Sequence, residues 1–332
     1  MAFRVVAPNA YGGRGGMFQY ENEALGAIGA EIVAITCKTN DEYYAAIRDA
    51  DAVMVGGLAI DPDAIERMPK VKVVSTGGIG LDKIDVEACT SAGIAVVNVP
   101  DVFIEEVADQ AFALFLAVNR RVVEYGEQVQ KRQWGKAQLP PRAIPKVSGS
   151  TLGLVAFGNI GKAMARRGQG FGMRVIAADP FVSPDILREA NVEPVEIDEV
   201  FRQADVVSCH APLLAGTRHL ITAHHFNLMK PTAIFINTSR GPVVDEAALI
   251  ATLDAGKILG AGLDVTEVEP IADDNPLLGR ANVVITPHMA SRSDFADIER
   301  RRRAGQNIAA VLSGKLPRNL VNTDVAARLG LT

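Results

Sequence analysis

The chain is predicted to be an α/β protein built from two doubly wound parallel-sheet lobes, and three observations carry that prediction. Short apolar runs of strand length alternate with helix-length segments along the 332 residues, which is the pattern of parallel sheets covered by helices on both faces. The hydrophobic content of 48% supports more core than one domain of ordinary size encloses. Near the middle, TLGLVAFGNIGKAMARRGQGFGMRVIAADP at 151–180 reads as strand, tight turn, helix and strand.

In the first lobe the spacing predicts strands at 4–8, 31–36, 52–57, 71–76 and 94–99, with helices at 17–28, 41–50, 62–68 and 83–92 between them. A glycine-rich loop, Tyr11 to Gly16, follows the first strand, at the edge where open α/β sheets bind ligands. Arg14 there is a candidate anion contact, and a plain surface loop is the competing reading. A second glycine turn, Thr76-Gly77-Gly78-Ile79-Gly80, bares backbone N–H groups suited to a carboxylate, or simply closes a tight turn. Residues 104–134 carry a helical stripe through Val107, Ala111, Leu114, Phe115, Val118 and Val122, so one long helix is expected. Pro140-Pro141 and Pro145 then mark a loop or arm. In the second lobe strands are expected at 152–157, 174–178, 192–197, 206–210, 233–238, 260–265 and 283–286, and a final helix at 294–313 leads into a tail expected to return to the first lobe.

The central unit has the order that a dinucleotide pyrophosphate requires. Gly158 lets the backbone approach the phosphates, the helix beginning at Asn159 and Ile160 offers unpaired N–H groups and a positive dipole end, and Gly161 permits close helix–strand packing. Ala156 takes the place of the first fingerprint glycine, giving A-x-G-x-x-G. The next strand ends in Asp179, and 179 − 158 = 21 residues is close to the spacing at which a carboxylate grips a ribose 2′-hydroxyl. That carboxylate would repel a 2′-phosphate, and Pro180-Phe181-Val182-Ser183 contains no arginine to receive one, so NAD is favoured over NADP. The competing reading is a βα turn with Asp179 capping a strand end.

A net charge of −5 gives no reason to expect a polyanionic partner such as nucleic acid. The basic run Arg300 to Arg303 follows Asp294, Asp297 and Glu299 on a helical pattern and reads as a solvated or subunit-facing surface. Cys37, Cys89 and Cys209 are far apart without Cys-x-x-Cys spacing, so reduced thiols and no metal site are expected. No apolar run reaches membrane-spanning length and the N-terminus does not look like a signal peptide, which points to the cytoplasm.

Three polar groups stand at or beyond expected strand ends: Arg240 in INTSRG, Glu269 in GLDVTEVEP and His288 in ITPHMA. An arginine fork can hold a carboxylate by two hydrogen bonds, or serve a structural ion pair. A histidine exchanges protons near neutrality and a neighbouring carboxylate can orient it, although for a lone histidine a place in the core is the preferred reading.

These segments together resemble the D-isomer-specific 2-hydroxyacid dehydrogenases, a family that includes phosphoglycerate dehydrogenases and the C-terminal binding protein corepressors. The resemblance runs through STGGIGLDKID, NVPDVFIEEVADQA, AFGNIG with Asp179-Pro180, CHAPL, INTSRGPVVDEAAL, GLDVTEVEP, TPHMAS and AGQNIAAVLSGKLPRNLVN, in the family's order. It implies a Rossmann NAD-binding domain, 102–290, inserted in a flavodoxin-like substrate domain formed by 1–101 and 291–332, and a homodimer through the NAD-binding domain. By the same resemblance Arg240 binds substrate, His288 is the acid/base and Glu269 its partner. Gly78 and Ile79 meet the substrate carboxylate, and Val107 lies near the nicotinamide. Asn159 and Ile160 meet the pyrophosphate, Pro212 and Thr217 line the adenosine side, and Thr238, Ser239 and Asp264 hold the nicotinamide end. The implied reaction is hydride transfer between NAD(H) and a small 2-oxo or 2-hydroxy acid.

Phosphoglycerate dehydrogenases usually carry an arginine in the loop after the third strand, whereas Gly56-Gly57-Leu58-Ala59-Ile60 has no cation, which disfavours a phosphorylated substrate. An NAD-responsive scaffold like the corepressors, which NVPDVFIEEVADQA resembles equally well, is the rival expectation.

Overall fold

The structure, a computed structural model, describes residues 2–8, 18–56, 59–134 and 144–332. The loop around Arg14, residues Gly57 and Leu58, and Pro140-Pro141 lie outside the described residues. The chain divides into two compact units, Met1–Phe103 with Ser293–Thr332, and Ile104–Arg292.

The first unit holds strands β1 (Arg4–Pro8), β2 (Glu31–Ile35), β3 (Ala52–Met54), β4 (Val73–Ser75) and β5 (Ala95–Val97). They form a parallel sheet in the order β2-β1-β3-β4-β5, which is the flavodoxin-like order. Alternation along each strand divides the core into two layers: Val5, Ala7, Ala52 and Met54 pack on one face, Val6, Val53, Val74 and Val96 on the other. The helix expected at 83–92 begins at Val86, because the Asp85 side chain accepts from the Ala88 N–H and caps it there. The predicted helix at 17–28 is a single turn, Asn22–Leu25, followed by a 3-10 turn, Gly26–Ile28.

The helix Asp294–Leu312 adds Ala304, Ile308, Val311 and Leu312 to this core. It also carries the fully buried Arg301, whose Nε and Nη2 donate to the two carboxylate oxygens of the equally buried Glu21 at 2.8 and 3.0 Å. The rest of the basic run is paired as well, Arg300 with Asp297, Arg302 with Glu23 and Glu299, and Arg303 with Glu299 and Asp101. The tail returns to the same sheet: Leu320 bridges Val97 in antiparallel fashion, and Asn322 accepts from the Val96 N–H at 2.8 Å.

The second unit holds β6 (Thr151–Val155), β7 (Arg174–Ala178), β8 (Glu193–Pro194), β9 (Val206–Cys209), β10 (Ile234–Asn237), β11 (Gly260–Leu263) and β12 (Val283–Ile285). All pair in parallel in the order β12-β11-β10-β9-β6-β7-β8, a Rossmann order with the chain reversing direction across the sheet between β6 and β9. Strands β6, β9, β10 and β11 are buried at every residue, as continuous apolar runs require. The single helix expected over 104–134 is two, Ile104–Arg120 and Val122–Gln130, parted at Arg121, whose φ is +55°. The buried stripe runs from Val107 to Val118 and stops at that break; Val122 is exposed. Among the described residues no helix is long and apolar enough to cross a membrane.

Removing one partner of the buried Glu21–Arg301 pair strands a charge inside the first unit. The variant Glu21→Ala is expected to lose about 3–5 kcal/mol of stability, to be read by urea denaturation followed by circular dichroism.

Candidate active site

Because the seven strands of the second unit are parallel, their carboxyl ends share one edge, and the polar residues singled out in its sequence stand in the loops that leave that edge. The first loop, after β6, is the dinucleotide turn. Ala156 adopts φ +75°, the left-handed conformation that the absent fingerprint glycine would take without strain. A methyl built on Gly161 would lie 2.5 Å from the Ala156 carbonyl oxygen, so only glycine lets the helix Asn159–Gly170 start this close to the strand. Gly158 caps that helix in an extended conformation without a side-chain cap, and a methyl built on it would meet nothing within 4 Å. The N-terminal amides therefore open onto space that a pyrophosphate can occupy.

Asp179 follows β7, and each of its oxygens already accepts one backbone N–H, Oδ2 from Phe157 and Oδ1 from Phe181, both at 2.8 Å. A carboxylate has about four acceptor positions, so two remain for ribose hydroxyls while the bonds to Phe157 and Phe181 fix its direction. After β9, the Thr217 hydroxyl donates to the Pro212 carbonyl at 2.5 Å and accepts from the Leu214 N–H at 2.7 Å, which brings Pro212 and Thr217 into one closed loop.

The loop after β10 is organised by a residue the sequence reading passed over. Asn237, 1% exposed, accepts from the N–H and hydroxyl of Ser239 at 3.0 and 2.8 Å, and donates to the Arg240 carbonyl at 3.1 Å. Thr238 is buried beside it and its hydroxyl finds no protein partner, an orphan that a ligand amide could satisfy. Arg240 is half-buried, and its Nη1 donates to the Ser239 carbonyl at 2.8 Å, which limits the directions the fork can take. Immediately after it, a methyl on Gly241 would lie 1.8 Å from the Thr266 carbonyl oxygen, so the backbone that carries Arg240 is pressed against the loop that carries Glu269.

That third loop, after β11, brings Glu269 to His288. His288 Nδ1 sits 2.7 Å from Glu269 Oε2, and Glu269 Oε1 accepts the Thr266 N–H at 3.2 Å. An ionised carboxylate only accepts, so Nδ1 carries the hydrogen and Nε2 is the nitrogen left to give or take a proton. Both side chains are partly exposed. Asp264 is buried at the foot of the same loop, and Val107 is buried in the first turn of the helix Ile104–Arg120.

Arg240, Glu269 and His288 thus belong to one connected group of loops, and the residues expected to meet the dinucleotide, apart from Val107 on its helix, stand on the same sheet edge. Gly78 and Ile79 belong to the other unit, where the Gly78 carbonyl accepts from the Val99 N–H at 2.9 Å and the Ile79 carbonyl from Asn98 Nδ2 at 3.1 Å. The segment 56–60 itself has no cation, but Lys83 Nζ, from elsewhere in that unit, donates to the Gly56 carbonyl at 3.4 Å. Its sequence distance from the loop hid this from a reading of 56–60 alone.

His210, in CHAPL, is a further residue the sequence reading left without a role. Its Nε2 lies 2.9 Å from the Ser208 hydroxyl, its Nδ1 is buried without a protein partner, and burial pushes its pKa down to about 4.

Comparison with known proteins bears directly on this edge. Residues 112–290 match the family described as D-isomer specific 2-hydroxyacid dehydrogenase, NAD binding domain. The chain is 43% identical over 283 residues to a glyoxylate reductase of Korarchaeum cryptofilum, covering 84% of this chain and 85% of that protein. The D-lactate dehydrogenase of Aquifex aeolicus, solved with NAD and lactic acid, superposes with a TM-score of 0.83 at 29% identity, over 96% of this chain and 99% of that one. The NADPH-dependent glyoxylate/hydroxypyruvate reductase of Sinorhizobium meliloti, solved with NADP and malonate, gives 0.83 at 28% identity over 98% of both chains.

His210 predicts a pH effect with a definite sign. Its folded pKa lies below the ordinary histidine value, so the unfolded chain binds the extra proton first, and stability falls as pH drops from about 6.5 to about 4. His210→Gln is expected to flatten that window, as measured by thermal unfolding at a series of pH values.

Proposed function

Because the chain belongs to the D-isomer specific 2-hydroxyacid dehydrogenase family, we propose that it reduces a small 2-oxo acid to the D-2-hydroxy acid, with Arg240, Glu269 and His288 as its chemical groups. The observation that carries this reading is the His288–Glu269 pair, held at 2.7 Å on the sheet edge that also bears the dinucleotide turn. The bound reduced nicotinamide supplies the hydride. Arg240 holds the substrate carboxylate by its fork and polarises the carbonyl oxygen. His288 Nε2 delivers a proton to that oxygen as negative charge builds on it, and Glu269 keeps the ring oriented while it carries charge. The reverse reaction uses the same groups, with Nε2 accepting the hydroxyl proton.

The residues present fit NAD. The open space at Gly158, the uncapped amides at 159–161, the orphan Thr238 hydroxyl and the two remaining acceptor positions of Asp179 match pyrophosphate, carboxamide and ribose in turn. Val107 and Ser239 flank the nicotinamide end in this reading, and Pro212 and Thr217 the adenosine. Asp179 favours NAD over its 2′-phosphorylated counterpart, because a carboxylate accepts from a 2′-hydroxyl and repels a 2′-phosphate. Residues 102–290 serve as the NAD-binding domain, 1–101 and 291–332 as the substrate domain, with Gly78 and Ile79 offered to the substrate carboxylate. Glyoxylate and hydroxypyruvate are the first acids to test, given the named relatives.

The helix Val122–Gln130 buries none of its residues and leaves Val122, Val123, Val129 and the nearby Trp134 exposed, which supports a homodimer formed through this unit. Three unpaired cysteines accord with a reducing compartment such as the cytoplasm.

NADH consumption over a panel of 2-oxo acids tests the reading, and His288→Ala should lower turnover by at least about a hundredfold with cofactor binding retained. Blank rates across the panel with tight NADH binding would instead support a corepressor-like scaffold. For Asp179→Ala, fluorescence titration is expected to show NADH affinity reduced by about tenfold and the preference over NADPH narrowed.

A further inference from the structure

Asp264 was expected only to hold the nicotinamide end of the cofactor, yet its surroundings give it a second task. The residue is 1% exposed, and its carboxylate is engaged by the turn that carries the acid/base group. Oδ1 accepts from the Thr286 hydroxyl at 2.5 Å and from the Met289 N–H at 3.0 Å, and Oδ2 accepts from the Ala290 N–H at 2.7 Å. Its backbone carbonyl accepts the His288 N–H at 2.8 Å. One residue therefore binds the 286–290 turn at four points that bracket His288.

The turn needs such restraint. His288 has φ +50°, in the left-handed region, and a non-glycine residue stays there only where its surroundings over-determine the backbone. The clamp is itself oriented from outside. Gln110, on the helix Ile104–Arg120, donates from Nε2 to the Thr286 oxygen at 3.1 Å. With its oxygen accepting from Gln110, the Thr286 hydroxyl directs its hydrogen to Asp264, which as a carboxylate can only accept. Three of about four acceptor positions on Asp264 are used in this way, and the one left on Oδ2 still admits a carboxamide.

We propose that Gln110 and Thr286 are positioning residues for the acid/base step: they fix the buried Asp264 carboxylate as the clamp that holds His288 in register with Glu269. This rests on His288 being the acid/base group. Loosening the clamp displaces the imidazole through a residue that also meets the cofactor, so the loss falls mainly on kcat and only to a small extent on NADH binding.

The experiment uses the full chain with NADH and the best 2-oxo acid of the panel. Thr286→Val removes the hydroxyl at nearly constant shape, Thr286→Ser keeps it, and Gln110→Met removes the outer donor. We expect Thr286→Val to lower kcat at least tenfold, roughly the cost of a small misplacement of a catalytic group. The acid KM and the NADH dissociation constant should stay within about threefold, Thr286→Ser should recover most of kcat, and Gln110→Met should fall between. Unchanged kcat in Thr286→Val, a loss confined to NADH binding, or a loss that Thr286→Ser does not recover would each overturn the proposal. If Thr286→Val does not fold, Gln110→Met decides by the same split between kcat and KM. His288→Ala is run alongside: equal turnover there removes the acid/base reading itself, whereas a crippled His288→Ala beside a normal Thr286→Val removes only the clamp.

Discussion

The common direction of seven strands is the constraint on which the site depends. A parallel sheet sends every carboxyl end to one edge, so residues separated by more than a hundred positions, from Gly158 to His288, reach the same side without any long-range signal in the sequence. The polar loops then bind one another: Asn237 folds the Arg240 turn on itself, Gly241 seats that turn on the backbone at Thr266, and Glu269 reaches His288. Strand burial provides the rigidity, since four of the strands are buried at every residue.

Much of this was legible in the letters. Apolar runs bounded by glycine and proline marked the strands, and the spacing from Gly158 to Asp179 marked the dinucleotide unit, because both are consequences of local backbone geometry. Less legible were features set by contacts between distant segments. The helical periodicity passed across Arg121 without interruption, and only the left-handed backbone there shows that one helix ends and another begins. Gln110 and Lys83 make their principal bonds to groups whose position depends on the finished fold, and nothing in their immediate sequence announces them, whereas Asn237 bonds to residues only two and three positions on. Asn237 is the one with a usable signal: a polar residue at the end of a fully apolar strand asks for a reason.

Asp179 illustrates how a motif residue acquires direction. Its spacing suggests a ribose contact, but a flexible carboxylate would sample several rotamers. The two backbone amides that hold it, one from the dinucleotide turn and one from the residue two positions on, convert a charge at the right distance into an acceptor facing a set way. The fold is shared by relatives named for NAD and for NADP, so discrimination between the cofactors falls to such small fixtures rather than to the architecture.

The contact between Gly241 and Thr266 has a consequence for how such a catalyst could diversify. With no room for even a methyl group between the two backbones, any side chain gained at Gly241 would shift the Arg240 loop and the Glu269 loop together. A change in the reach of Arg240 or Glu269 would therefore have to arise away from that seam, which passes down a lineage as one piece.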